Sequence, residues 1–150
     1  MEAGRLGDRK RVERLAVILD SNTLIMMASG AVAPSMIGEA LGAAYDLYAT
    51  DSVLEELERL AATHPRQTVR RLAAGALRLA ERLGVKALET GVRDADDSIE
   101  AAARSLRAEG LRVVVASSDR TLRRRLRKLG VPTLYYRESE GILELEWEPL

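Results

Sequence analysis

The sequence predicts an α/β fold in which a mainly parallel sheet is wrapped by helices. Short β-type runs alternate with helical patterns along nearly the whole chain, the signature of β-α-β units. The first run, Leu15-Ala16-Val17-Ile18-Leu19, is continuously apolar, as a strand buried on both faces must be. Near the other end, Leu143, Leu145 and Trp147 alternate with Glu144, Glu146 and Glu148, the two-residue period of a half-exposed edge strand.

Asp20 ends the first strand. A Gly-, Ala- and Pro-bearing stretch follows, with a short helix near residues 36–44, and Tyr45 to Thr50 forms the second strand. A helix is expected over residues 52–62, opened by a capping box in which Ser52 caps and Glu55 reaches back. That assignment leaves Asp51 outside the helix. His64-Pro65 breaks the chain, and Val69, Leu72, Ala73, Ala76, Leu77, Ala80 and Leu83 then recur at helical spacing until Gly84. Val85 to Leu88 reads as the third strand, residues 96–109 as a helix ended by Gly110, and Val113 to Ala116 as the fourth strand. Leu122, Leu126 and Leu129 mark the last helix, closed by Gly130 and Pro132, before a strand at Thr133 to Tyr136.

At 150 residues with 47% apolar content, the chain has material for one core and too little for two. Residues 1–14, with Arg5, Arg9, Lys10, Arg11 and Arg14, read as a basic N-terminal extension to a single domain over residues 15–150. The 23 basic and 23 acidic residues cancel, so charge-driven binding must be local. Cysteine is absent and His64 is the single histidine, which excludes disulfides, thiolate sites and multi-histidine metal sites. No apolar run approaches the roughly 20 residues that span a bilayer, and no apolar leader follows the basic start. The expected location is the cytoplasm, with no membrane partner.

In an open α/β sheet, ligands bind outside the carboxyl ends of the strands. Acidic residues recur at those positions: Asp20, Asp51, Asp119, and Asp96 at the start of the helix after the third strand. Each alone fits a helix N-cap. Helical geometry separates some of them. Ile99, Ala102, Ala103 and Leu106 define a buried face, and at roughly 100° per residue Asp96 projects close to it while Asp97 points nearly opposite. On the preceding acidic helix, Glu56 flanks the Val53/Leu57/Leu60 face nearest the strand end. Carboxylates gathered together raise one another's pKa unless a cation compensates. All-oxygen ligation without histidine or cysteine suits Mg²⁺ or Mn²⁺.

Together these segments resemble the PIN-domain nucleases. Val17-Ile18-Leu19-Asp20-Ser21-Asn22-Thr23-Leu24 is similar to the opening strand with its metal-binding aspartate. Asp51-Ser52-Val53-Leu54-Glu55-Glu56-Leu57 is similar to the second acidic motif, Ala95-Asp96-Asp97-Ser98-Ile99 to the third, and Val115-Ala116-Ser117-Ser118-Asp119-Arg120-Thr121-Leu122 to the fourth. The similarity runs from about Leu15 to Trp147. The stretch from Asp119 through the arginines to Leu126, with Gly130-Val131-Pro132-Thr133-Leu134-Tyr135-Tyr136, resembles the branch containing the nuclease of small-subunit ribosomal RNA processing and its archaeal relatives. VapC-type toxins share the fold and the acids but usually lack the arginine-rich helix. The resemblance implies a three-layer α/β/α sandwich and a metal-dependent endoribonuclease. Asp20, Glu56, Asp96 and Asp119 would be catalytic and hold one or two Mg²⁺ or Mn²⁺ ions. Asp97 is the alternative third ligand, and Ser21, Asn22 and Ser118 give polar support. Water activated at the ions would attack the scissile phosphate without a covalent enzyme intermediate.

Arg120, Arg123, Arg124, Arg125, Arg127 and Lys128 place six cations within nine residues. They read either as a face for an RNA backbone or as a solvated face paired with Glu138, Glu140, Glu144, Glu146 and Glu148. His64 reads as a loop residue. RNA, structured or a ribosomal precursor, is the expected partner; a second copy of the chain, through the alternating C-terminal edge, and a protein regulator are open candidates. Three other functions compete: a VapC-type toxin ribonuclease, a non-catalytic RNA-binding or ribosome-assembly module, and a phosphoacceptor domain. The last expects a lysine after a late strand, where Arg137 stands.

Overall fold

The computed structural model describes residues 14–146; the basic segment before Arg14, with Trp147 and Glu148, lies outside the described residues. The chain forms β1 (Leu15–Leu19), α1 (Ser21–Ser29), α2 (Ser35–Leu41), β2 (Tyr45–Thr50), α3 (Asp51–Thr63) and α4 (Gln67–Arg82). It continues through β3 (Lys86–Leu88), α5 (Ala95–Ala108), β4 (Arg112–Ala116), α6 (Arg120–Lys128), β5 (Thr133–Arg137) and β6 (Ile142–Leu145). The six strands make one sheet in the order β3-β2-β1-β4-β5-β6. All neighbours are parallel except β6, which runs antiparallel to β5 at the edge. The α/β/α architecture read from the sequence is the one observed. Among the described residues no helix is long and apolar enough to cross a membrane.

β1 lies between β2 and β4, which is why all five of its residues are buried. Its neighbours diverge in sequence there: β2 comes next in the chain, whereas β4 arrives 97 residues later, Leu19 standing opposite Ala116. This is the reversal of strand order at which a parallel sheet opens a crevice at its carboxyl edge. Register then does the positioning. With Leu19 level with Ala116, the next residues, Asp20 and Ser117 to Asp119, leave the sheet side by side. With Ile18 level with Tyr48, Thr50 leaves on the other flank.

The sequence reading needs four corrections. The stretch after Asp20 contains helix α1, capped by Asp20, whose side chain accepts from the Thr23 amide, and stopped at Gly30 with φ 86°. α1 lacks a charged face because it packs against α4 and α3; a Cβ at Gly75 of α4 would stand in ordinary van der Waals contact with Ala28, at 3.6 Å. α2 ends at Leu41, not 44, because Gly42 turns left-handed with φ 61°. α5 begins at Ala95 with Asp94 as its cap, its side chain accepting from the Asp97 amide at 2.8 Å.

The fourth correction concerns α3. Its cap is Thr50, whose Oγ1 accepts from the Val53 amide at 3.1 Å, so Ser52 and Glu55 form no capping box and Asp51 lies inside the first turn. Ser52 is buried and donates its hydroxyl to the Arg93 carbonyl. Thr50 also shares a 2.7 Å bond with the Ser98 hydroxyl, which ties the start of α3 to the start of α5. Thr50→Ala is expected to lower stability by about 1–2 kcal/mol, and Glu55→Ala, at an exposed site, by no more than about 0.5. Urea unfolding of the two variants measures the contrast, and equal losses would restore the capping box.

Candidate active-site cleft

A cleft of about 380 Å³ opens at the carboxyl edge of the sheet, lined by Asp20, Ser21, Asn22, Val53, Glu56, Ala95, Asp96, Ile99, Ser118 and Asp119. Four carboxylates from four separate elements thus line one cleft. So do Ser21, Asn22 and Ser118. Val53, Ala95 and Ile99 form the apolar part of the lining, which lowers the local polarity and strengthens every charge interaction inside.

Asp20 sits deepest, buried at 8% exposure. Its Oδ1 accepts from the Thr23 amide at 2.7 Å, while Thr23 donates its hydroxyl to the Ala116 carbonyl at 3.0 Å, tying the start of α1 to the end of β4 behind the carboxylate. Burial drives the Asp20 pKa up; hydrogen bonds from Ser117 and Thr23 oppose this, and the Asp119 charge adds to the rise. Ser117 is buried and serves both acids, donating to Asp20 and accepting from the Asp119 amide at 3.1 Å. Asp119 caps α6, its Oδ1 accepting from the Leu122 amide at 3.0 Å, with the carboxylate exposed at the cleft rim.

Asp96 stands in the first turn of α5, and burial raises its pKa, followed by repulsion from Asp119 and Asp94; Arg125 opposes and Asp20 adds to the rise. Asp97 turns away, as the helical phase predicts: it is exposed and pairs with Arg125 at 2.7 Å. Glu56 is half-buried, one turn into α3, on the cleft wall. Asp51 lines no part of the cleft. Burial works against its charge, but bonds from the Thr90 hydroxyl and from the Gly91, Ser52 and Thr90 amides outweigh that and hold its pKa low. It anchors the loop between β3 and α5.

Sequence reasoning missed Thr23, Thr50, Ser98 and Ser117. The signal for Ser117 was present, since it continues the buried run of β4 by one residue, but two adjacent serines hid which faces inward. Ser118 accepts instead from the Tyr136 amide at 3.1 Å.

The carboxylates repel one another across the cleft, and a divalent cation is what relieves such repulsion. Among the described residues no three acidic or histidine side chains converge closely enough to form a ready cage. Mg²⁺ does not require such a cage, because it keeps several waters and takes only one or two carboxylates directly. The all-oxygen donor set likewise fits Mg²⁺ or Mn²⁺. The amino ends of α1, α5 and α6 lie at this edge, each with one first-turn amide capped by an aspartate, and their helix dipoles add positive potential there.

The six basic residues of α6 divide. Arg125 pairs with Asp97 and Glu100 at 2.7 and 3.2 Å, and Arg123 and Arg127 both pair with Glu146, at 2.6 and 2.7 Å. Among the described residues Arg120, Arg124 and Lys128 have no acidic partner. Of the C-terminal acids expected to pair with this helix, Glu146 does so, through Arg123 and Arg127. Arg14 pairs with Asp46 at 2.8 Å.

A family profile described as a PIN-like domain matches residues 17–139. The structure is similar to that described as the PIN domain endonuclease Utp24, with 24% identity, 87% of this chain and 90% of that one covered, and a TM-score of 0.68. No curated protein matches the chain.

Proposed function

Since the chain belongs to the PIN-like domain family, we propose that it is a Mg²⁺- or Mn²⁺-dependent endoribonuclease hydrolysing RNA phosphodiester bonds, with its work in ribosomal RNA maturation. The observation that carries this reading is the meeting of Asp20, Glu56, Asp96 and Asp119 in one cleft. The ribosomal assignment is supported by the sequence from Asp119 to Thr133. Those four carboxylates would hold the ion. When bound, such an ion supplies Lewis acidity toward a phosphate oxygen and makes water more acidic.

The chain's own residues do the rest. Ser117 and Thr23 fix the Asp20 carboxylate and Ser117 orients the Asp119 backbone, so these two groups present a preorganised pair of acids. Asn22 and Ser21 offer polar contacts at the mouth. The amino ends of the helices draw in the phosphate, and α6 offers cations along its flank. Asp97 belongs to the Arg125 pair rather than to the cleft.

A second reading, a non-catalytic RNA-binding module, is favoured by the open spacing of the acids. One experiment separates them. Labelled RNA incubated with Mg²⁺ or Mn²⁺ is expected to be cut, and excess EDTA to abolish the cutting. RNA that binds but stays intact with every divalent ion would establish the second reading, and activity undiminished by EDTA would remove the metal from the first.

A further inference from the structure

Beside the carboxylate cleft lies a second pocket, of about 220 Å³, lined by Arg120, Arg123, Arg124, Arg127 and Glu146. The four arginines stand at i, i+3, i+4 and i+7 on α6, which places them on one helix face, while Leu122 and Leu126 are buried on another. The pocket adjoins the cleft through the backbone: Asp119 lines one and Arg120 the other, a Cα step of about 3.8 Å.

The pocket is built, and incompletely neutralised. Arg123 stacks on Tyr135, its guanidinium carbon 3.9 Å from the ring centre, and its Nε is buried with no hydrogen-bond partner. Glu146 is held by Arg123, by Arg127 and by the Thr133 hydroxyl at 2.8 Å. One carboxylate thus faces four guanidiniums. It fixes Arg123 and Arg127 and leaves Arg120 and Arg124, both exposed, without an acidic partner among the described residues. Guanidinium forks are suited to phosphate oxygens.

We propose that this pocket holds a second backbone phosphate of a single-stranded RNA, next to the one in the carboxylate cleft, with Arg120 and Arg124 making the contacts and Glu146 acting as a built-in anion that limits them. The proposal rests on the endoribonuclease reading for the path of the strand. Its contacts need no metal, so they can be measured without turnover.

The test is fluorescence anisotropy of a labelled single-stranded oligoribonucleotide in EDTA, titrated over a salt series. Each phosphate contact on a single strand contributes about 0.7 to the slope of log affinity against log salt. Arg120→Ala/Arg124→Ala is expected to flatten that slope by about 1.4 and to weaken binding about tenfold at low salt. Arg120→Lys/Arg124→Lys keeps the charges and should keep the slope. Glu146→Gln removes the competing charge and should tighten binding several-fold, the opposite of what a merely structural glutamate would give. Arg71→Ala, which lines neither pocket, is the control for non-specific charge. Unchanged affinity and slope in the double alanine variant, or weaker binding by the glutamine variant with its fold intact, would overturn the proposal, even while EDTA-sensitive cleavage persisted. Binding that responds as expected without cleavage by any divalent ion would support this pocket and remove the endoribonuclease reading.

Discussion

Asp20→Asn is expected to reduce RNA cleavage by about 10³-fold, the loss of several kcal/mol of charge stabilisation at the reacting phosphate, without unfolding the protein. Asparagine keeps an acceptor oxygen for the Thr23 amide and removes a charge that burial and Asp119 both disfavour. Without the ion, the folded carboxyl retains its proton to higher pH than the unfolded one. Stability therefore falls as pH rises from the ordinary 3.8 through the raised folded value. The variant should lose this part of the pH dependence and melt no lower than the parent near neutrality. A divalent ion should raise the melting temperature of the parent, since it binds only the folded state, and raise that of the variant much less. Cleavage equal to the parent's would remove Asp20 from the machinery. Lost cleavage together with a markedly lower melting temperature would make its role structural.

The second large effect separates two neighbours. Asp96→Asn should lower cleavage about 10²-fold, because its carboxylate lines the cleft with Asp20 and Asp119. Asp97→Asn should lower it less than about threefold, and stability by no more than about 1 kcal/mol, the usual worth of an exposed ion pair such as Asp97 with Arg125. Cleavage rates under saturating Mn²⁺ measure both. Comparable losses would mean that the cleft is assembled differently around substrate.

The contrast between these neighbours was legible from helical phase alone, because a run with Ile99, Ala102, Ala103 and Leu106 on one face fixes where every other side chain points. The strands were legible for a similar reason: β1 and β4 are buried on both faces and read as unbroken apolar runs. Helix α1 was not, since Leu24, Ile25, Met26 and Met27 form an apolar run with no polar face to set the helical period. Nor was the α3 cap. Ser52 with Glu55 fits a capping box in sequence, but Thr50, held by Ser98 from 48 positions away, reaches the amide first. The arginines of α6 posed the same difficulty. Arg123 meets Glu146 across 23 positions and Arg125 meets Asp97 across 28, and no local rule shows which cations such distant partners neutralise. Ser117 combines both problems, its buried face and its two acidic clients being visible only once β1 and β4 are in register.

The central claim is that acids from four segments jointly bind a hard cation. Anomalous scattering from crystals of the protein soaked in Mn²⁺ tests it most directly. The account predicts a peak within the cleft bordered by Asp20, Glu56, Asp96 and Asp119, lost in the Asp20→Asn variant. A peak confined to Asp94 and Asp97 outside the cleft, or none at saturating Mn²⁺, would contradict it.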